Sequence, residues 1–391
     1  MLWGAVAGTI PDLDVTAGIV ADPVTNLAFH RCVTHSLYYA ALASPLLAWM
    51  ARALYPAGGL RPAADYPWRV WLPGTLAAYA LLVVGSLLSP TPLEGVGGHS
   101  AVVAGATALV PLAAWGLRRI RPRARPIDPP PYRRWLALFA LGIGTHPLLD
   151  CFTTYGTQVL QPFAELRVAW NTVSVADPLY TLPFLLLLLA AARALRQNPR
   201  RRQLTWTGLA ASSAYLAFTC VNAYRVRERV AADLAAARLP YERLHIAPTL
   251  LNNVLWSIVV DQGDTLLTGQ LGLFDEPFAL PTDRARLRRI ARRDDLLAPI
   301  RDERAVRVIT WFSRGFYAVS PGAGDTLRLV DLRFGSLPGR ERESVFAFQV
   351  YPRRAGEEWG LRQTAVRDVD FAEAFGALWE RLGGRADGAG E

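Results

Sequence analysis

The sequence predicts a polytopic α-helical membrane domain of about five to six spans followed by a small α+β soluble domain, and three observations carry that prediction. Hydrophobic residues make up 52% of the 391-residue chain and the mean hydropathy is +0.18. That is apolar for a soluble enzyme, yet too charged for a chain lying wholly in lipid. The apolar runs are concentrated before residue 224, and the texture beyond it alternates as strands do. The 42 basic residues are all arginine, and many gather between apolar runs at 118–134 and 193–202, as the positive-inside rule expects of cytoplasmic loops. The net charge of +9 and pI near 9.8 therefore need no nucleic-acid partner. No helix-turn-helix, zinc-finger or RNA-binding signature accompanies them. The partners expected are membrane lipids, with no nucleic acid.

Residues 1–10 are apolar but shorter than the roughly 20 residues a span needs, and they lack the basic n-region and small-residue cleavage site of a signal peptide. Spans are expected at 37–54, 70–88, 101–117, 135–149, 178–195 and 204–223. This divides the chain into a membrane domain, 1–224, and a soluble domain, 225–391. Setting both arginine-rich loops on the cytoplasmic side brings Asp12, Asp14, His30, His35, His99, His146, Asp150 and Asp177 to one outer face. The expected location is thus the bacterial inner membrane, multi-pass, with a site on the outer side. In the soluble part, apolar stretches at 254–260 and 265–274 flank Asp261-Gln262-Gly263-Asp264, a hairpin signal. Strands are also expected at 306–319, 326–334 and 345–351, amphipathic helices at 283–297 and 371–382, and a disordered tail at 383–391.

Several residues in these segments can carry chemistry. His146 and Asp150 are four apart at the end of an apolar run, so on a helix they share a face and can offer a nitrogen and an oxygen to one metal ion. The structural alternative is a polar helix end with His146 bonded to a neighbour. Asp12 and Asp14, two apart, can both reach one cation from a tight turn, or form a solvated acidic turn. His30 and His35 cannot share one face of a regular helix. A metal reading places His30 in the approach loop and His35 at the helix start, with Thr34 or Ser36 capping. Asp177 before Pro178 reads either as a helix N-cap or as a site carboxylate. His99 can act as a further ligand, and His245 reads as structural. Cys32, Cys151 and Cys220 form no CxxC pair and no disulfide framework, and read as small buried residues.

Taken together, Pro11-Asp12-Leu13-Asp14, His30-Arg31-x-x-Thr34-His35-Ser36, His146-x-x-Leu149-Asp150 with Thr154-Tyr155-Gly156-Thr157, Pro162-Phe163, Trp170-Asn171 and Asp177-Pro178-Leu179-Tyr180 resemble the membrane-bound metal-dependent hydrolases of the YdjM type. The resemblance runs from residue 1 to about residue 256. Members of that family usually begin with a further N-terminal helix bearing a Ser-Leu-Thr-type motif, and residues 66–115 are longer here than the family core. The family is distantly similar to zinc-dependent phospholipase C and P1-type nucleases. This implies aspartate and histidine ligands around a divalent metal such as zinc, and a phosphoester or lipid-like substrate.

The expected centre uses Asp12, Asp14, His30, His35, His146 and Asp150 as ligands, and Asp14 or Asp177 as general base. Arg31 either clamps an anionic headgroup or pairs with Asp12 or Asp14. The alternative is a non-catalytic membrane protein whose polar clusters fix helix ends and whose C-terminal domain binds a partner. A metalloprotease is disfavoured because His-Glu-x-x-His is absent, and a transporter because the polar residues gather at one face.

Overall fold

The computed structural model describes residues 2–19, 21–54, 68–89, 100–108, 130–194, 198–275, 279, 287–337, 340–344, 346–353, 358–364 and 371–382. The chain forms two compact units. The first comprises Met1–Cys151 with Gly156–Ala169, and the second Phe152–Tyr155 with Trp170–Glu391.

The first unit is helical. Helix α1 (Leu2–Thr9) leads into a 3-10 segment, Pro11–Ile19, then α2 (Pro23–Phe29), a 3-10 turn at Val33–His35, α3 (Leu37–Leu54), α4 (Trp68–Leu87) and α5 (Tyr132–Asp150). Residues 100–108 are also helical. Helix α2 starts where it does because the Asp22 carboxylate accepts from the backbone N–H groups of Val24 and Thr25, with Pro23 in the first turn. Ile10, Phe29, Tyr39, Leu47, Met50, Leu82, Phe139 and Ile143 belong to one buried core. At Gly142 a Cβ would lie 2.5 Å from that of Ala7. Only glycine permits so close a crossing of α1 and α5, and it brings the Gly8 carbonyl beside the last turn of α5, where His146 lies. The 156–169 segment then buttresses the loop before α3, with Gln158 N–H donating to Arg31 O and Leu37 N–H to Val159 O.

The second unit begins with α6 (Pro178–Arg193) and the 38-residue α7 (Pro199–Ala236). Two four-stranded antiparallel sheets follow. One has the order β1-β2-β3-β4, from Arg243–Pro248, Leu255–Asp261, Thr265–Gly272 and Arg288–Ala291. The other has the order β10-β9-β6-β5, from Gly360–Thr364, Ala347–Tyr351, Leu327–Asp331 and Tyr317–Pro321. A two-stranded ribbon, β7 (Ser336–Leu337) with β8 (Arg340–Ser344), and helices α8 (Arg304–Phe312) and α9 (Phe371–Leu382) complete it. The two halves of α7 differ. Trp206, Leu209, Phe218 and Val221 are exposed, whereas Val226, Val230 and Leu234 pack with Ile246, Trp256, Ile258 and Val260 of the first sheet.

This architecture corrects the expected polytopic domain. Among the described residues one helix, α7, is long and apolar enough to cross a membrane; Leu72–Leu87 and Pro178–Arg193 are apolar but shorter. The helices at 37–54 and 135–149, expected as spans, each bury one apolar face in the core of the first unit. Tyr39, Ala43 and Leu47 of α3 and Trp135, Phe139 and Ile143 of α5 recur every four residues and are buried. Such a face marks a core helix, and composition alone does not separate that from a span. Residues 109–117 of the expected third span lie outside the described residues. The alternation of six spans was the basis for an outer-face site, and it falls with them.

In the second unit, the strand expected at 306–319 is instead α8 followed by β5. Ala305, Val306, Ile309 and Phe312 are buried at helical spacing, so the period outweighs the β-branched composition. The helix expected at 283–297 is a strand, Arg288–Ala291, followed by 3-10 turns after Arg293, whose φ of 61° breaks any helix there; residues 281–286 lie outside the described residues. The expected hairpin is found in register, with Val260 opposite Leu267. Residues 383–391, read as a tail, lie outside the described residues.

Candidate metal centre

The sequence motifs around residues 12, 30–36 and 146–150 converge within the first unit. Asp12 and Asp14 sit in the 3-10 segment after α1, His30 at the end of α2, His35 in the 3-10 turn before α3, and His146 and Asp150 in the last turn of α5. His35 Nε2 lies 3.3 Å from Asp12 Oδ1 and 3.4 Å from Asp150 Oδ2. His146 Nε2 lies 3.3 Å from the same Asp12 oxygen and 3.4 Å from the same Asp150 oxygen. Asp12, His35 and His146 each offer an atom within 4.8 Å of the other two.

The other nitrogen of each ring is already committed. His146 Nδ1 is 2.6 Å from the Gly8 carbonyl, to which it donates. His35 Nδ1 is 3.2 Å from Asp14 Oδ2 and 3.1 Å from Thr34 Oγ1. A neutral imidazole that donates from Nδ1 carries its lone pair on Nε2, so each ring, once neutral, would turn that lone pair toward Asp12 and Asp150. His146 Nε2 is buried and makes no well-formed hydrogen bond to either carboxylate.

The electrostatics have one direction. Burial opposes ionisation of Asp12, yet His146 and His35 hold it below the usual carboxylate range. Burial likewise opposes ionisation of Asp14 and Asp150. His35 and His30 outweigh it at Asp14, and His146 and Arg31 outweigh it at Asp150. The imidazoles move the opposite way: burial disfavours the cation, but Asp12 and Asp150 raise His146 to about 10, and Asp14 and Asp12 raise His35. The carboxylates and the imidazoles thus shift in opposite directions, each favouring the charged form of the other.

The residues singled out in the sequence do not all play the same part. Asp14 is fully buried and its two oxygens accept from His30, Arg31 N–H, Thr34 and His35. His30 lies outside the four-atom cluster, bonded through Nδ1 to Asp14 at 2.9 Å. Arg31 Nη2 is 3.5 Å from Asp150 Oδ1, and the Arg31 N–H donates to Asp14 Oδ2. Asp177 is the N-cap of α6, accepting from Leu179 and Tyr180 N–H and from the Tyr215 hydroxyl. His99 lies outside the described residues. Sequence reasoning missed the Gly8 carbonyl, Thr34 as a partner of Asp14, and Arg167, whose guanidinium donates to the His30 carbonyl at 3.2 Å. Of these only Thr34 carried a signal, its place between His30 and Ser36.

The model of the YdjM inner membrane protein family matches residues 1–90 and 96–226. The chain belongs to the YdjM inner membrane protein family. It is accordingly an inner membrane protein, and α7 supplies a helix able to cross the bilayer. No curated protein and no solved structure matches the chain. The family match covers every residue of the cluster and ends within α7, so both sheets of the second unit lie beyond it. The family's description names a location and no chemistry.

Proposed function

We propose that this YdjM-family protein is a membrane-associated metal-dependent hydrolase whose ion is held by Asp12, His35 and His146, with Asp150 beside the two imidazoles, and with a phosphoester or lipid-like substrate. The observation that carries the reading is the set of four contacts of 3.3–3.4 Å between two imidazole nitrogens and two carboxylate oxygens. Two atoms bound to one zinc ion at 2.0–2.1 Å, a tetrahedral angle apart, are separated by about 3.3–3.4 Å. Two histidines with two aspartates are borderline ligands suited to zinc, and the committed Nδ1 atoms give each imidazole the tautomer an ion requires.

When bound, such an ion provides a water that ionises near neutral pH and a Lewis acid for the scissile bond. The chain's own groups do the rest. His30, partly exposed and held through Nδ1 by Asp14, takes the proton-transfer role expected of Asp14 or Asp177. Arg31, in contact with Asp150, places a guanidinium at the rim of the cluster, where it can hold an anionic group. A location at the inner membrane supports lipid or envelope phosphoesters over soluble ones as the substrate.

The test is hydrolysis of bis-p-nitrophenyl phosphate and p-nitrophenylphosphorylcholine by the detergent-purified chain loaded with zinc, manganese or iron. Turnover that disappears in His146→Ala and Asp12→Ala supports the reading. A metal-loaded wild type that hydrolyses neither probe nor a panel of phospholipids sinks the hydrolase assignment.

A further inference from the structure

We infer that Asp14 is a positioning residue: it fixes the tautomer and aim of His35 and ties down the 30–36 loop without touching the ion. The inference rests on the metal reading above and deepens it. Asp14 Oδ1 accepts from His30 Nδ1 at 2.9 Å, while Oδ2 accepts from Arg31 N–H at 2.9 Å and Thr34 Oγ1 at 3.0 Å and lies 3.2 Å from His35 Nδ1. A carboxylate has about four acceptor positions. Here the stretch from His30 to His35 supplies one donor to Oδ1 and crowds three polar groups around Oδ2, so the side chain is held from one side.

The backbone is bent to reach that arrangement. Arg31 has φ of 60°, a left-handed conformation that is uncommon for a residue with a Cβ and persists where surrounding contacts impose it. Those contacts come from both sides: the Arg31 N–H is delivered to Asp14, and the Arg31 and His30 carbonyls accept from Gln158 N–H and Arg167. The loop is clamped between a buried anion and the 156–169 segment.

For His35 the consequence is chemical. Its Nδ1 faces a charged acceptor, which sets the tautomer and makes Nε2 a better donor to an ion. His146 is oriented by a neutral carbonyl instead. The two imidazoles therefore differ in what depends on a side chain: substitution can remove the support of His35 but not that of His146.

The experiment uses the full-length chain in detergent, stripped of metal and titrated with Zn2+ against a chromophoric chelator, with His35 ring nitrogens followed by 15N shifts in the loaded protein. Asp12→Ala serves as the loss-of-ligand control. Asp14→Asn, whose carbonyl can still accept the three donors at Oδ2, is expected to keep one equivalent of zinc at about tenfold weaker affinity, and Asp14→Leu at about 100-fold weaker affinity. Both are expected to show a second environment for the His35 ring nitrogens. Wild-type affinity and a single His35 environment in Asp14→Leu would overturn the inference. So would complete loss of stoichiometric zinc in a folded Asp14→Asn, which would make Asp14 a ligand. If Asp14→Leu does not fold, as judged by circular dichroism, Asp14→Asn and Thr34→Val carry the comparison by the same criteria. A wild type that takes up no ion overturns the metal reading and this inference with it, a failure distinguished by appearing before any substitution is made.

Discussion

In the second unit, Asp331, Asp261 and Asp275 are closed by arginine. Asp331 is gripped by Arg333, whose Nη2 lies 2.6 Å from Oδ2 and whose guanidinium also covers the Phe312 ring; Asp261 is held by Arg243 and Arg292, and Asp275 by Arg381. In the first unit, Asp12, Asp14 and Asp150 share three histidines and a single arginine. A guanidinium stays protonated at any accessible pH and cannot make way for an ion, whereas an imidazole can release its proton and present a lone pair. One set of carboxylates is closed by permanent cations, and the other is paired with groups able to give up a proton, as the proposed metal reading requires.

The largest effect is expected from forcing the first unit into the chemistry of the second. His146→Arg keeps a positive partner for Asp12 and Asp150 but removes a ligand, and should lower zinc affinity by more than about 100-fold while the chain stays folded; chelator competition and circular dichroism read both at once. A variant that binds zinc as wild type would break the contrast. Conversely, Asp261→Ala strands two arginines and should destabilise the second unit by about 3–5 kcal/mol in urea unfolding, with zinc uptake unchanged. Third, His30→Gln should retain its metal and lose about 10²-fold or more in turnover of a phosphodiester probe; unchanged turnover would remove His30 from the proton-transfer role.

The smallest effect is a pH dependence confined to the second unit. His245 is buried, and burial together with the nearby Arg333 pushes it down to about 3. Its folded value lies below the unfolded one, so below pH 6.5 the unfolded chain binds more protons. The stability this group contributes is present above 6.5 and is lost as pH falls toward 3. Unfolding of the second unit at pH 4 should be easier than at pH 7 by on the order of 1–3 kcal/mol, and His245→Asn should flatten that difference.

The cluster itself was legible because its chemistry is local in sequence: a histidine and an aspartate four apart at a helix end, two aspartates after α1, and histidines flanking the start of α3. The division of labour among them was not. Asp14 and Asp12 look alike two residues apart, and only the burial of one and the half-exposure of the other separate a hydrogen-bond hub from a candidate ligand. Asp177 before Pro178 read as cap or site with equal ease, and the Tyr215 hydroxyl and two backbone amides give it the cap. The six-span reading failed for a related reason. Apolar residues every four positions in α3 and α5 serve a helix–helix core as well as they would serve lipid, and the choice lies in tertiary packing around Ala7 and Gly142 that no single segment reveals.

The most direct measurement is elemental analysis of the detergent-purified wild-type chain beside an Asp12→Ala/His146→Ala double variant, after reconstitution with zinc, manganese and iron in turn. The account predicts near-stoichiometric metal in the wild type and none above background in the variant. Equal metal content in the two proteins, or none in the wild type with any ion, would contradict it.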